Sequence, residues 1–174
     1  MLGFPDFAIF RFINNTMANP VFDKAMPILT RLGSGDIIFL IAVLLIIICR
    51  KDKKLSGILM LAGLTASYFG VDHLKCFFAV PRPFISLDHV RLLASNATGY
   101  SFPSGHAVTA FMAAAVASRY FRPGAVIWMG LASIVAFSRV YIGVHYASDA
   151  VFGSLVGLLI GFILIRVPDS SKYS

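Results

Sequence analysis

The chain has 174 residues, of which 58% are hydrophobic and only 13% are charged. This composition lies outside the range of ordinary soluble proteins, so lipid is the expected solvent. The net charge of +7 would also suit a nucleic-acid-binding protein, but the basic residues form no stripe along a helix and no nucleic-acid-binding motif is present. We therefore expect membrane lipids, and no nucleic acid, as partners of the positive charges.

The amino-terminal residues predict a helix in the membrane interface. Residues 1–15 lack a basic leader followed by an uninterrupted apolar stretch, so we do not expect a cleavable signal peptide. The segment mixes four phenylalanines with Asp6 and Arg11. This mixture suits a helix that lies along the membrane surface better than one that crosses it.

Five apolar stretches follow, each long enough or nearly long enough to cross a bilayer, which takes about 20 helical residues. They run roughly over Leu32–Cys49, Leu55–Lys75, Ser104–Ser118, Pro123–Val144 and Asp149–Ile165. No repeat of fixed period and no low-complexity linker separates them. The sequence therefore predicts an all-α, polytopic membrane bundle of about five transmembrane helices, with residues 1–174 as one domain.

Small residues form ridges on two of these stretches. Gly153, Gly157 and Gly161 follow one another at four-residue spacing, and Ala66 with Gly70 suggests a second ridge. Such ridges let helices approach closely in lipid. They fit either a dimer interface or packing inside the bundle, and we favour packing inside the bundle. The oligomeric state stays undetermined.

Basic residues near the ends of the stretches indicate the orientation in the membrane. The connection of residues 50–54 carries the densest basic cluster, and we place it in the cytoplasm. Eight basic residues then lie inside and seven outside. This difference becomes clear only when Lys75, Arg82 and Arg139 are set aside as functional residues. In this topology residues 76–103 and 139–148 fall together on the outer face.

Three polar patterns lie at this outer face. They are Lys75 with Arg82 and Pro83, then Pro103-Ser104-Gly105-His106, then Ser138-Arg139 with His145 and Asp149. Ionisable residues at membrane depth are costly and usually mark function. Taken alone, the basic residues would be interpreted as anchors that reach the lipid headgroups. Their combination with two histidines and an aspartate at these spacings favours a functional site instead.

Together the three patterns resemble the signature of the type 2 phosphatidic acid phosphatase superfamily, which also includes glucose-6-phosphatase and the vanadium haloperoxidases. The signature covers residues 75–149, and every defining position is filled. Residues 1–74 carry no part of it, so the resemblance says nothing specific about them. It implies a membrane enzyme that removes phosphate from a lipid through a phosphohistidine intermediate.

The chemistry of the residues agrees with this resemblance at the phosphate. Phosphoryl transfer needs positive donors around the phosphate oxygens, a nucleophile in line and an acid for the leaving group. Lys75 offers a point charge, and Arg82 and Arg139 offer planar forks that suit phosphate. Ser104 and Gly105 open a helix, where free N–H groups favour an anion. We predict that these five residues bind the phosphate.

Three further residues are predicted to be catalytic. We assign attack on phosphorus to His145, with Asp149 four residues later orienting its ring. His106 would protonate the departing oxygen and later activate water. The resemblance implies the same roles. We expect no metal and no cofactor, because the cationic side chains supply the charge and no acidic cluster offers a magnesium site. His73, His89, Asp72 and Asp88 match no position of the patterns.

The expected function is hydrolysis of a phosphomonoester or a diphosphate on a lipid. A small chain of this kind resembles bacterial enzymes that act on undecaprenyl diphosphate, phosphatidylglycerol phosphate, phosphatidic acid or lipid A phosphates, and the patterns do not distinguish among them. We place the protein in a bacterial inner (plasma) membrane with the site on the periplasmic or extracellular face, where residues 84–102 would form a lid over the lipid.

Two alternatives belong to other classes. A non-catalytic lipid-phosphate binder or transporter would not need both His106 and His145. A vanadate-dependent haloperoxidase shares the pocket, but those relatives are typically soluble and larger than this chain. Both alternatives are therefore less favoured than the phosphatase.

Overall fold

Over residues 4–94 and 97–167, which the computed structural model describes, the chain contains eight α-helices and no β-strand. Short π-helical and 3₁₀-helical turns join some of them at Phe12–Thr16, Thr30–Gly33 and Arg122–Gly124. The α-helices are α1 (Phe4–Arg11), α2 (Pro20–Leu29), α3 (Gly35–Ile48), α4 (Lys51–Phe78), α5 (Pro83–Ser86), α6 (Gly105–Tyr120), α7 (Ala125–Tyr141) and α8 (Ala147–Leu164). The predicted all-α class is confirmed.

Three helical stretches of the described chain are long and apolar enough to cross a membrane, namely Lys53–Ser86, Arg122–Tyr141 and Ala147–Leu164. The stretches Pro20–Gly33 and Gly35–Ile48 meet at a bend of 53° and form a fourth if they are taken as one broken span. A helix overlaps each of the five predicted stretches, and the membrane bundle is confirmed. The number five stays a prediction, because α6 has only 16 residues.

Helix α6 lies at the centre of the bundle and packs against α4, α7 and α8. Its buried surface consists largely of alanines, which leave room for close neighbours. A Cβ added at Gly153 of α8 would lie 2.7 Å from the Ser104 carbonyl oxygen, and one at Gly157 would overlap the Val108 carbonyl oxygen. The ridge on α8 thus packs inside the bundle, as we favoured. Gly70 differs, because a Cβ there would have nothing within 4 Å.

The predicted amino-terminal helix is present as α1, and it docks on the protein. Phe10 is fully buried, and its ring lies 5.7 Å from that of Tyr146. The Asp6 carboxylate accepts hydrogen bonds from the Ser148 N–H at 3.0 Å and from its hydroxyl at 2.6 Å. These contacts fix α1 against the start of α8. Its place in the membrane interface stays a prediction.

The chain between α5 and α6 is held at two points. The Leu93 N–H donates to the Ile142 carbonyl oxygen at 3.1 Å, and the Ser101 N–H donates to that of Val80 at 2.7 Å. This segment is the predicted lid, of which residues 95 and 96 lie outside the described residues. The bonds fasten it to the ends of α4 and α7, and its role as a lid stays a prediction.

Candidate active site

His145 and Asp149 meet where α7 passes into α8. Helix α7 ends at Tyr141 and α8 begins at Ala147, so His145 lies in the connection, where it is only 2% exposed. Its Nδ1 lies 3.3 Å from Asp149 Oδ2, the atom that also accepts the Tyr146 N–H at 2.9 Å. With the ring proton on Nδ1, the Nε2 lone pair points away from the carboxylate.

Ser101 joins this pair, although none of the three sequence patterns contains it. Its hydroxyl donates to Asp149 Oδ2 and lies 3.4 Å from His145 Nδ1. The only sequence signal was its position two residues before Pro103, next to the second pattern. A serine in a loop is too common to single out on that ground.

Arg82 faces the other ring nitrogen of His145. Its Nη1 lies 3.5 Å from Nε2, and the residue is only 4% exposed. The guanidinium also donates to the carbonyl oxygens of Thr98 at 2.7 Å, Gly99 at 3.0 Å and Val144 at 3.0 Å. Backbone atoms on both sides therefore orient the fork beside Nε2.

Arg139 enters the site from the last turn of α7. It is 8% exposed, and its Nη1 donates to the Thr30 hydroxyl at 2.9 Å. Its buried Nε has no hydrogen-bond partner in the described part of the chain. A buried guanidinium N–H without a partner is well suited to an anion, because leaving it unpaired is costly. Thr30 is a second contact that the sequence analysis missed.

Lys75 and His106 line a cavity of about 240 Å³ beside these groups. Lys75 lies in the last turn of α4 and His106 in the first turn of α6. The cavity reaches the bend between α2 and α3, and its other lining residues are Gly33, Gly35, Leu64, Ser67, Tyr68, Val71, Asp72, Gly105 and Thr109. Both predicted residues are therefore accessible from one side of the bundle.

Electrostatic interactions connect the two parts of the site. The charge of Arg139 acts on His106. Those of Arg82 and Arg139 act on Lys75. The three cationic and two histidine side chains of the sequence patterns thus lie close enough together to interact.

Ser104 and Gly105 begin α6 at the same level. The Ser104 N–H is not free for an anion, because it donates to the Asp149 carbonyl oxygen at 3.1 Å. The buried Ser104 hydroxyl, in contrast, has no hydrogen-bond partner among the described residues. The donors that remain are this hydroxyl and the N–H groups in the first turn of α6, which begins at Gly105.

The surroundings of His145 favour a neutral ring. Burial lowers the pKa of His145 well below its ordinary value, and the charges of Arg139, Arg82 and Lys75 lower it further. A neutral imidazole keeps a lone pair on one nitrogen. That nitrogen is available as a nucleophile or as a hydrogen-bond acceptor.

The fold is a helical membrane bundle, and the site is a cluster of cationic and histidine side chains. Together they are typical of membrane proteins that bind a phosphate group. A family model described as the PAP2 superfamily matches residues 56–173 of this chain. The chain belongs to this superfamily, that of the type 2 phosphatidic acid phosphatases, and the resemblance inferred from the three patterns is confirmed.

Two curated relatives show how far the similarity extends. The chain is 31% identical over 128 residues to the undecaprenyl-diphosphatase of Sulfolobus acidocaldarius, covering 72% of this chain and 61% of that one. It is 31% identical over 141 residues to the lipid A 4'-phosphatase of Porphyromonas gingivalis, covering 75% and 60%. The chain thus spans about three fifths of the length of these relatives.

Two solved structures share the fold. LpxE of Aquifex aeolicus has a TM-score of 0.80 at 31% identity, covering 92% of this chain and 94% of that chain. The PAP2-type phosphatidylglycerolphosphate phosphatase of Bacillus subtilis has a TM-score of 0.79 at 25% identity, covering 98% and 86%. The similarity includes the amino-terminal part of the chain, which lies outside the three patterns.

Proposed function

We propose that this chain hydrolyses a phosphomonoester or a diphosphate on a lipid through a phosphohistidine intermediate. The observation that carries the proposal is the position of His145, between Asp149 on one ring nitrogen and Arg82 on the other. An imidazole held by a carboxylate and facing a guanidinium can attack a phosphorus atom whose oxygens the guanidinium binds.

In the first step, His145 Nε2 attacks phosphorus and the bond from phosphorus to the leaving oxygen breaks. Lys75, Arg82 and Arg139 neutralise the phosphate oxygens, with Ser104 and Gly105 as further donors. His106 gives its proton to the leaving oxygen, which departs as a lipid alcohol or, from a diphosphate, as a lipid monophosphate. Asp149 stabilises the positive charge that develops on the ring of His145.

In the second step, His106 takes a proton from water, and the resulting hydroxide attacks the phosphohistidine. The P–N bond breaks, inorganic phosphate leaves, and His145 regains its lone pair. The proton taken from water leaves His106 protonated, as it was before the first step. The cavity lined by Lys75 and His106 supports this assignment, since it gives His106 open space beside a phosphate-binding residue.

Lipid phosphates are the proposed substrates, because the related proteins are named for undecaprenyl diphosphate, lipid A and phosphatidylglycerolphosphate. The phosphate-binding residues would contact the phosphate and not the lipid to which it is attached. Phosphatidic acid is therefore also a candidate substrate. We place the site at the periplasmic or extracellular face, which follows from the basic cluster at residues 50–54.

The proposed reaction needs no metal ion. Three cationic side chains supply the charge that a metal would otherwise bring to the phosphate. Within the described chain, no group of three or more His, Cys, Asp or Glu side chains is placed to hold a metal. The donor set of the site therefore favours direct electrostatic stabilisation.

The test is phosphate release by the purified protein from a panel of these lipid phosphates, with and without a chelator. We expect His145→Ala to lower the rate by more than about 1,000-fold, because the substitution removes the assigned nucleophile. His73→Ala is the matched control, since His73 is exposed on α4 and bonds the Phe69 carbonyl oxygen in its own helix.

The outcomes of this test bear separately on the nucleophile, on the metal-free mechanism and on catalysis itself. An active His145→Ala variant would remove the assigned nucleophile, and loss of activity on adding chelator would remove the metal-free mechanism. A wild-type protein that binds lipid phosphates but releases no phosphate from any of them would favour the binder or transporter.

A further inference from the structure

A polar network joins the amino-terminal helices to the segment between α5 and α6. It consists of Asn14, Asp23, Arg91 and Tyr141, and we name it the amino-terminal clamp. Arg91 Nη2 lies 2.6 Å from Asp23 Oδ2, and Arg91 Nη1 donates to the Asn14 carbonyl oxygen at 2.9 Å. The Tyr141 hydroxyl donates to the other oxygen of Asp23 at 2.7 Å.

Asn14 is the buried centre of the clamp. Its side chain is fully buried, and its amide donates to the carbonyl oxygens of Arg91 at 2.9 Å and Tyr141 at 2.7 Å. Its side-chain oxygen accepts the Arg91 N–H at 2.9 Å. One side chain thereby fixes the backbone of the segment relative to the end of α7. A fully satisfied buried network of this kind specifies one arrangement of the chains that it joins.

The ion pair between Arg91 and Asp23 contributes little to the stability of the fold. Its side chains are 29% and 33% exposed, and partly exposed pairs contribute little to folding. Its geometry is specific, however, because the Arg91 fork spans two acceptors, Asp23 and Asn14. A planar fork that uses two donors fixes orientation as well as distance. The clamp is therefore a positioning device.

The clamped segment carries the atoms that orient the site. The Leu93 N–H bonds the Ile142 carbonyl oxygen at the end of α7, and Arg91 bonds Asn14 and Asp23. Later in the same segment, past residues 95 and 96, the carbonyl oxygens of Thr98 and Gly99 accept from the Arg82 guanidinium. The segment then reaches Ser101, whose hydroxyl donates to Asp149. The clamp also reaches the site through Tyr141, which bonds both Asn14 and Asp23. Tyr141 begins the connection that carries His145 and Val144, whose carbonyl oxygen accepts from Arg82. Loss of the clamp would therefore shift the groups around His145.

We propose that the amino-terminal clamp positions Arg82 and Ser101 against His145 and Asp149, so that Asp23 and Arg91 are positioning residues of the active site. The inference rests on the proposed function, since it concerns the same site. It gives residues 14–23 a role in the reaction, although none of them contacts the predicted phosphate pocket. It differs from a lid, because a lid would affect only the lipid part of the substrate.

The experiment compares Asp23→Asn and Arg91→Lys with Asp88→Asn in the full-length protein. Asp88 is the matched control, because it lies exposed in the same segment and outside the clamp. Arg91→Lys keeps the charge and removes the fork. Hydrolysis is measured with a lipid phosphate and with p-nitrophenyl phosphate, which has no lipid part. Hydrogen exchange at Leu93 and Ser101 reports the position of the segment independently of activity.

We expect kcat to fall about 10- to 100-fold with both substrates in both clamp variants, because small misplacements of catalytic groups have effects of this size. KM should change less than about threefold, and the control should stay within about twofold of wild type. Amide exchange at Leu93 and Ser101 should be faster in the clamp variants alone. The thermal unfolding temperatures of all variants are measured to separate these effects from unfolding.

Two results would overturn the inference. One is unchanged exchange at Leu93 and Ser101 in both clamp variants. The other is a loss confined to the lipid substrate, which would make the segment a lid only. A wild-type protein that hydrolyses neither substrate would instead remove the proposed function, and the exchange measurement would still decide whether the clamp holds the segment.

Discussion

Three groups converge on a single oxygen of Asp149. The Ser101 hydroxyl and the Tyr146 N–H donate to Oδ2, and His145 Nδ1 lies 3.3 Å from the same atom. The carboxylate therefore cannot turn away from the imidazole without breaking two other hydrogen bonds. Its second oxygen has no hydrogen-bond partner within the described residues. The orientation of the predicted nucleophile thus depends on Ser101 as well as on Asp149.

We expect Ser101→Ala to lower kcat between about 10- and 100-fold, the effect of losing a hydrogen bond to a charged group. Steady-state phosphate release measures it. Ser133→Ala is the control, because the exposed Ser133 hydroxyl bonds the Met129 carbonyl oxygen within α7. If Ser101→Ala retained more than half of the wild-type rate, Ser101 would have no part in orienting the site.

The residues that the sequence predicted and those that it missed differ in a physical way. Lys75, Arg82 and Arg139 stand out because charged groups are rare in apolar sequence and costly in lipid. Ser101 and Thr30 do not stand out, since neutral hydroxyl groups are common and acquire a role only through tertiary contacts. The partners of Arg82 are backbone carbonyl oxygens, which every residue possesses, so no sequence pattern could identify them.

At the scale of elements, the contact between α6 and α8 sets the distance between two parts of the site. The Ser104 N–H at the start of α6 bonds the Asp149 carbonyl oxygen in the first turn of α8. Gly153 and Gly157 allow this approach, because a Cβ at either position would collide with backbone atoms of the facing chain. The glycine ridge therefore acts on the site through helix packing.

Gly157→Ala should destabilise the protein by about 1–3 kcal/mol, the usual cost of forcing an added methyl group into a packed contact. The thermal unfolding temperature in detergent should fall accordingly. Gly70→Ala should leave it unchanged or raise it, because that Cβ meets open space and alanine favours the helix. Equal stability of the two variants would show that the ridge does not hold α6 and α8 together.

The apolar stretches of the sequence predicted the positions of the long helices, because helices that lie in lipid need apolar side chains. They did not predict the bend of 53° before α3. At that bend Gly33 packs closely on α6 and α7, since a Cβ there would lie 2.6 Å from the Val135 side chain and 2.7 Å from the His106 carbonyl oxygen. Such a close approach is a tertiary contact, and the sequence shows only Gly33-Ser34-Gly35 at this place, which does not specify an angle.

At the scale of the whole molecule, α4 separates the basic cluster from the site. It has 28 residues and begins at Lys51, while Lys75 lies in its last turn. A helix of this length is about 42 Å long, more than the roughly 30 Å of a hydrocarbon core. If α4 spans the bilayer, the cluster at residues 50–54 and the site must lie on opposite faces. The positive-inside rule then predicts that the site lies on the outer face.

Single cysteines at position 53 and position 88 test this assignment in a chain whose native cysteines, Cys49 and Cys76, are replaced by serine. A membrane-impermeant maleimide added to intact bacterial cells should label Asp88→Cys and leave Lys53→Cys unlabelled until the membrane is opened. The physical reason is the cost of moving four basic residues across the membrane against the cytoplasmic preference for positive charge. Labelling of position 53 alone from outside would reverse the topology and restrict the substrate to lipid phosphates of the cytoplasmic leaflet. Labelling of both positions from the same side would contradict a membrane-spanning α4.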